Sequence, residues 1–429
     1  MVPFTRKPCI KSKAGPGLFA SVREAGGREE VPTYARVLIG LQTRPMPKAQ
    51  TTIQTSELID HLKSLGPAAA GGEEASLSLK RERGKDLLLR ASNGEFGTRA
   101  SLGAGGAGIL DIQVPHKALL QLAGAAGDTI ALAEDGDQLV LKSGNRTLKL
   151  EKATSKPFVF SPLANGEEVL ASIPGDVLID ALPKAVRCAA EDAARPVLNS
   201  VALFDRDNGL HLVSTDSYRL VVLPLGVESK ETLSEPLLLP YAAAKALAAD
   251  LKRRKPEEVE LFRFSSPGEG GAIVRYSGVE WVLRGVSGKF PEYEQLIPEK
   301  GNDLLLDRGE LRNVLDGVEA IGAKRRRNGN SNSALRLDLG QTVAASYSQP
   351  GVGTLEEEMP DSLWEGEETA AGFNPAFLRD LLRIMDGSEG KLQGRSEGAM
   401  KPALFKDDEG RRYLLMPIRL TDMNGNGAG

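Results

Sequence analysis

The sequence predicts an α+β protein built from three copies of one domain, each with two helices packed on antiparallel sheets. Two series of helices and one strand rhythm predict it. The first helix series reads "VPHKALLQLAG" from Val114, "LPYAAAKALAADL" from Leu239 and "FNPAFLRDLLRIM" from Phe373. The second reads "QTSELIDHLKSLG", "IPGDVLIDALPKAV" and "LDRGELRNVLDGVEAI", beginning near residues 54, 173 and 306. Both series recur with a period of roughly 120 to 135 residues, the mark of a repeated unit.

Each helix has a physical start. Pro115, Pro240 and Pro375 stand at the first helical turn, where a missing N–H and a fixed φ are tolerated. Apolar residues then recur at i, i+3 and i+4, which gives one buried stripe. Pro183 falls inside the second member of the other series and predicts a kink there. Between helices the sequence alternates with period two. "DTIALAEDGDQLVLKSGNRTLKLEK" holds three strand-like runs separated by the turns "DGD" and "SGN". "GLHLVSTDSYRLVVLPL" reads as two strands joined at "TDS", and "KDLLLRASNGEFGTRASL" takes the matching place in the first copy. The last apolar run, "YLLMPIRL" (Tyr413–Leu420), contains Pro417. Proline gives no N–H to a ladder, so this run reads as an edge strand.

The repeats set the expected boundaries. A basic extension covers 1–48 and reads as mostly disordered. Domains follow over 49–162, 163–300 and 301–420, with a flexible tail over 421–429. Met46 immediately precedes the first helix signal and offers an alternative start. Residues 1–50 carry nine Lys/Arg against three Asp/Glu, yet the whole chain of 429 residues has a net charge of −4. A basic tail therefore precedes an acidic body, and any contact with nucleic acid must use a local basic surface. No apolar run approaches the roughly 18 residues of a membrane span, and the start lacks the apolar region of a secretory signal. Two cysteines, Cys9 and Cys188, form no disulfide framework and no metal spacing, which points to a reducing cytoplasm.

Signs of catalysis are few. His61, His116 and His211 lie on different elements, and none has metal-ligand spacing. "GAGGAG" (Gly103–Gly108) matches G-x-G-x-x-G, but strand-like text flanks it on both sides. A dinucleotide motif needs a helix opening on its glycines, so the stretch reads as a flexible linker. No phosphate-binding G-x-x-x-x-G-K-[ST] is present, and no acid/base pair stands out among the carboxylates. The basic run "AKRRRNGNSNS" (Ala323–Ser333) reads as a solvated helix end, with a phosphate contact as the alternative. Neither cofactor nor metal is expected.

Three stretches together go further: "ARPVLNSVALF…GLHLVSTDSYRLVVLPL" (Ala194–Leu225), "VLRGVSGKFPEYEQLIP" (Val282–Pro298) and "YLLMPIRL". In order and spacing they resemble the bacterial sliding clamp, the β subunit of DNA polymerase III. The resemblance runs from about residue 50 to 420, and "GFNPAFLRDLL" (Gly372–Leu382) looks like the family's last helix. It implies a three-domain arc that dimerises head to tail into a ring around duplex DNA. Such a ring is a non-catalytic processivity factor. It tethers the replicative polymerase and holds it at high effective concentration.

The resemblance also implies sites. A hydrophobic peptide-binding groove would use Leu198, Thr215, Arg219, Leu220, Pro240, Leu414, Met416, Pro417 and Ile418. Polymerase, clamp loader and repair proteins would dock there through short linear motifs, with Arg219 bonding a peptide carbonyl. Lys63, Lys117, Lys184, Arg187, Lys252, Arg253, Arg312 and Arg383 would face the DNA, touching phosphates without reading bases. Leu148 and Leu150 would meet Ala320 and Ile321 of a second copy at the dimer interface. One departure stands out: "GPAAAGGEEASL" follows the first helix where an Arg-Pro stretch is usual, which predicts a trimmed first domain. That departure and the two tails leave a second reading, a monomeric adaptor or decoy that keeps the groove without closing a ring.

Overall fold

The computed structural model describes residues 50–70, 76–153, 169–206, 209–266, 269–321, 334–386 and 390–420. All described residues lie in one compact unit, residues 47–429. The expectations for the basic extension, for Ala323–Ser333 and for the C-terminal tail fall outside the described residues.

The element order repeats three times, with one extra short strand in the third repeat. The first repeat holds β1 (Thr51–Gln54), α1 (Thr55–Ala69), β2 (Ser76–Arg81), β3 (Leu87–Ser92), β4 (Phe96–Leu102), β5 (Leu110–Pro115), α2 (His116–Gly124), β6 (Thr129–Asp135), β7 (Gln138–Ser143) and β8 (Arg146–Glu151). The second holds β9 (Val169–Pro174), α3 (Gly175–Cys188), β10 (Ser200–Arg206), β11 (Gly209–Thr215), β12 (Arg219–Pro224), β13 (Leu237–Pro240), α4 (Tyr241–Arg254), β14 (Glu258–Ser266), β15 (Glu269–Tyr276) and β16 (Val279–Arg284). The third holds β17 (Asn302–Asp307), α5 (Arg308–Ala320), β18 (Leu335–Leu339), β19 (Val343–Gln349), β20 (Gly353–Met359), β21 (Leu363–Trp364), β22 (Thr369–Phe373), α6 (Pro375–Ile384), β23 (Lys391–Ser396), β24 (Ala403–Lys406) and β25 (Arg412–Leu415).

All strand pairs are antiparallel, and the sheets tie the repeats together. Strands β5-β2-β3-β4 of the first repeat continue into β16-β15-β14-β9 of the second as one eight-stranded sheet. Strands β13-β10-β11-β12 continue into β25-β24-β23-β17-β21 of the third as a nine-stranded sheet. Two four-stranded sheets remain, β1-β6-β7-β8 and β20-β19-β18-β22, with β8 and β20 as free edges. The helices pack as the pairs α1/α2, α3/α4 and α5/α6. One continuous apolar core runs beneath them, from Ile53 through Trp281 to Leu415.

The prolines act as helix starts in two ways. Pro115 and Pro240 are the N-cap residues of α2 and α4, with extended backbone and no side-chain cap. Pro375 stands at the first position of α6, and the Asn374 side chain accepts the Ala376 N–H. Pro183 lies within α3, which continues through it to Cys188.

Three expectations are corrected. First, "GAGGAG" is not a slack linker. The buried Arg81 guanidinium donates to the carbonyls of Ala104, Gly106 and Gly108, to Thr51 Oγ1 and, through Nε, to Lys85 O. Gly105 also exchanges backbone hydrogen bonds with Thr52. A Cβ on Gly106 would stand 2.2 Å from Gln50 O, and one on Gly108 2.6 Å from the backbone of Thr51. These glycines let the loop close around a cation and dock on β1. Second, the first repeat is not trimmed in its elements, since it has two helices and eight strands, as does the second repeat. Third, β25 is not an edge. It pairs with β12 on one side and β24 on the other, and it ends at Leu415. Pro417 falls just beyond the ladder, where no N–H is required. Ile418 then bridges to Gly372 of β22.

Candidate functional site

The two long sheets are built alike, but their seams differ in chemistry. Where β4 meets β16, Glu280 accepts from Arg99 on one side and Arg275 on the other. These residues line a shallow cleft of about 430 Å³ with Glu258 and Glu260. Where β12 meets β25, Leu220 stands opposite Leu414, and Leu414 opposite Leu404. These leucines join Ala202, Val213, Phe290 and Tyr293 in a second apolar cluster, with Val197, Val286 and Ile297 partly buried against it. The apolar seam is the site suited to an apolar partner.

The β11–β12 turn forms one wall. Thr215 Oγ1 donates to Arg219 O and accepts the Ser217 N–H, and Asp216 Oδ1 accepts the N–H of Tyr218 and of Arg219. This web holds Ser217 at φ +80°, a conformation that costs a non-glycine residue energy. Arg195 donates to Ser217 Oγ, which brings the loop carrying Leu198 alongside. Tyr218 is thereby pushed outward and is 48% exposed. Its carbonyl accepts the Met416 N–H, so Met416, itself half-buried, is fixed beside it. Leu296, 50% exposed, rises from the segment that carries Phe290 and Tyr293. Tyr218 and Leu296 are therefore exposed apolar side chains on segments that flank the leucine seam, with Met416 half-buried beside Tyr218.

Arg219 has a different place from the one expected. Its side chain is buried. It donates to Asp216, to Asp380 of α6 and to the Arg187 carbonyl, and its guanidinium lies 4.2 Å from the centre of the Phe377 ring. All this leaves it spent inside the protein rather than held out to a peptide. Thr215 is likewise committed within its turn. Pro240 ends β13 and caps α4, three strands from Leu220 in the same sheet. Leu220 and Leu414 meet at the seam, Met416 is tied to Tyr218 beside it, Leu198 lies on the loop that Arg195 joins to the turn, and Pro417 and Ile418 lead away to β22. Sequence reasoning missed Tyr218, Phe290, Tyr293, Leu296 and Ile297. The signal was present in "GKFPEYEQLIP", an apolar segment without strand or helix period.

The helix cations divide into two groups. Lys63 on α1, Lys117 on α2, Lys252 on α4 and Arg312 on α5 are exposed. Lys184 is buried, with its ammonium between Asp180 and Asp386. Burial with two carboxylates explains why it is not an open phosphate contact. Arg253 pairs with Asp60 and Asp250, while Arg187 and Arg383 share Asp380. The Cys188 thiol lies beneath, pushed up to about 12 by burial, so it is an inert core group.

Among the described residues, the edge strands β8 and β20 are complementary. Strand β8 exposes Arg146 and Lys149 and half-buries Leu148 and Leu150. Strand β20 exposes Glu356 and Glu358 and half-buries Leu355. Ala320 is exposed and Ile321 half-buried at the end of α5, near Gly353 of β20.

The repeated α+β scaffold places exposed apolar side chains beside an apolar sheet seam, an arrangement suited to binding a partner. No family model matches the chain. The chain is 25% identical to the β sliding clamp of Streptomyces coelicolor over 359 residues, covering 81% of this chain and 92% of that protein. It is 25% identical to the β sliding clamp of Staphylococcus epidermidis over 286 residues, 66% of this chain and 72% of that one. Among solved structures, the DNA polymerase III β subunit of Thermotoga maritima superposes with a TM-score of 0.75 at 23% identity. The Bacillus subtilis sliding clamp does so with 0.74 at 17%. Each alignment covers 87% of this chain and 100% of the other. Along most of its length the chain is thus similar in sequence to bacterial β sliding clamps, and it shares the fold of DNA polymerase III β subunits.

Proposed function

We propose that this chain is a DNA sliding clamp, a non-catalytic processivity factor that encircles duplex DNA and tethers a replicative polymerase. The observation that carries the reading is the apolar seam at Leu220, Leu414, Met416 and Tyr218, set in the fold of the sliding clamps. Domains over 49–162, 163–300 and 301–420 would form the arc. Basic β8 and acidic β20 would pair between two copies, since free edges with opposite charge and half-buried leucines attract each other. Lys63, Lys117, Lys252 and Arg312 would meet phosphates. Arg187, Arg253 and Arg383 would do so by exchanging a carboxylate for a phosphate. Polymerase, clamp loader and repair proteins would share the groove through short linear motifs, and Met416 suits several partners because its side chain is deformable. No helix among the described residues is long and apolar enough to cross a membrane. A cytoplasmic site is part of the same proposal.

The test is solution mass by light scattering across a dilution series, then retention on circular against linearised DNA. A dimer that persists on dilution and slides off linear DNA alone supports the ring. A monomer at every concentration overturns it and leaves the adaptor reading.

A further inference from the structure

We infer that Asp380 is a positioning residue that couples the groove to phosphate binding on the helices. The inference rests on the reading of Arg187 and Arg383 as phosphate contacts. Asp380 is buried on α6, and one carboxylate serves three guanidinium groups. Oδ2 accepts from Nη1 of Arg219, whereas Oδ1 accepts from Nη1 of Arg187 at 3.1 Å and of Arg383 at 3.2 Å. The partners differ in access. The Arg219 side chain is 2% exposed, against 34% for Arg187 and 42% for Arg383. With Asp216 included, three cations face two carboxylates, so the cluster carries one uncompensated positive charge. A phosphate approaching the two open arginines would neutralise it and draw them away from Oδ1.

The released carboxylate then serves Arg219 alone. Arg219 follows Tyr218 in the chain, and both lie against Phe377, Tyr218 with ring centres 6.4 Å apart. Tyr218 also holds Met416 through its carbonyl. A firmer Asp380–Arg219 pair therefore fixes the groove wall, and duplex DNA raises groove affinity. Linkage requires the reverse as well: an occupied groove raises affinity for DNA by the same factor.

The experiment labels the chain with 3-fluorotyrosine, assigns Tyr218 by Y218F, and titrates a 20-base-pair duplex while anisotropy reports binding. The expected result is a Tyr218 resonance that moves on saturation. D380N should bind the duplex at least as tightly, because a competing carboxylate charge is gone, yet its Tyr218 resonance should stay still. R187Q/R383Q, altered only at accessible side chains, should show the shifted resonance without DNA. Tyr218 unmoved by bound duplex, a shift that survives in D380N, or a wild-type resonance in R187Q/R383Q each overturns the coupling alone. A duplex that does not bind at 50 mM salt overturns the coupling, whereas the DNA reading stands or falls on retention by circular DNA.

Discussion

Leu220 of β12 lies directly opposite Leu414 of β25, so the ladder that joins the second repeat to the third also forms the apolar seam. Both side chains are only 2% exposed. They support the site more than they present it. L414A should destabilise the protein by about 2–5 kcal/mol through lost burial and a residual cavity. Thermal unfolding checks this.

Tyr218 and Leu296 are exposed and should behave in the opposite way. Y218A and L296A should each weaken binding of the replicative polymerase by roughly tenfold to thirtyfold, about 1–2 kcal/mol, at unchanged melting temperature. Surface plasmon resonance on the immobilised chain reads the first effect and calorimetry the second.

The edge strands predict a charge-dependent dimer. R146E/K149E should raise the dimer dissociation constant on the order of tenfold, since cross-strand charge pairs contribute roughly 0.2–1 kcal/mol each. E356K/E358K should do the same. Mixing the two variants should restore both interfaces of the pair, one with native charges and one with the charges exchanged, and analytical ultracentrifugation would detect it.

Arg81 organises the first repeat by satisfying carbonyls that no other side chain reaches in the hydrogen bonds described above. R81M fills similar volume but leaves the buried Gly108 carbonyl without its partner, at about 1–3 kcal/mol. Amide exchange over residues 103–109 should speed up, with protection of β10–β13 retained.

His211 gives a pH signature. Burial disfavours the charged ring and lowers its pKa in the folded state. The unfolded chain therefore takes up the proton first, near an ordinary value of about 6.5. The contribution of the neutral ring is fully present above that pH and is lost as pH falls through the lower folded value. Urea titrations between pH 7 and 5 should show a shallower loss in H211N than in wild type.

Much of this molecule was legible in its sequence. The recurrence of Pro115, Pro240 and Pro375, and the turns "DGD" and "SGN" at Gly136 and Gly144, whose φ values are +62° and +55°, fix helices and hairpins through neighbours within a few residues. Strands β6, β7 and β8 follow the alternation that predicted them. Local steric and burial rules suffice there, because each residue's partners lie nearby in the chain.

The site depended on distance. Arg219 and Asp380 are 161 residues apart, and no local pattern shows that the arginine turns inward. Pro417 looked like an edge marker because its strand neighbours, β12 and β24, could not be seen. The glycines at 103–108 looked slack because the cation they enclose belongs to β2. The sequence by itself determined which segments are helices and strands and that they recur. Tertiary structure alone decided which seam is apolar and which is ionic, and which charges are spent, since burial and pairing depend on side chains brought together from different repeats.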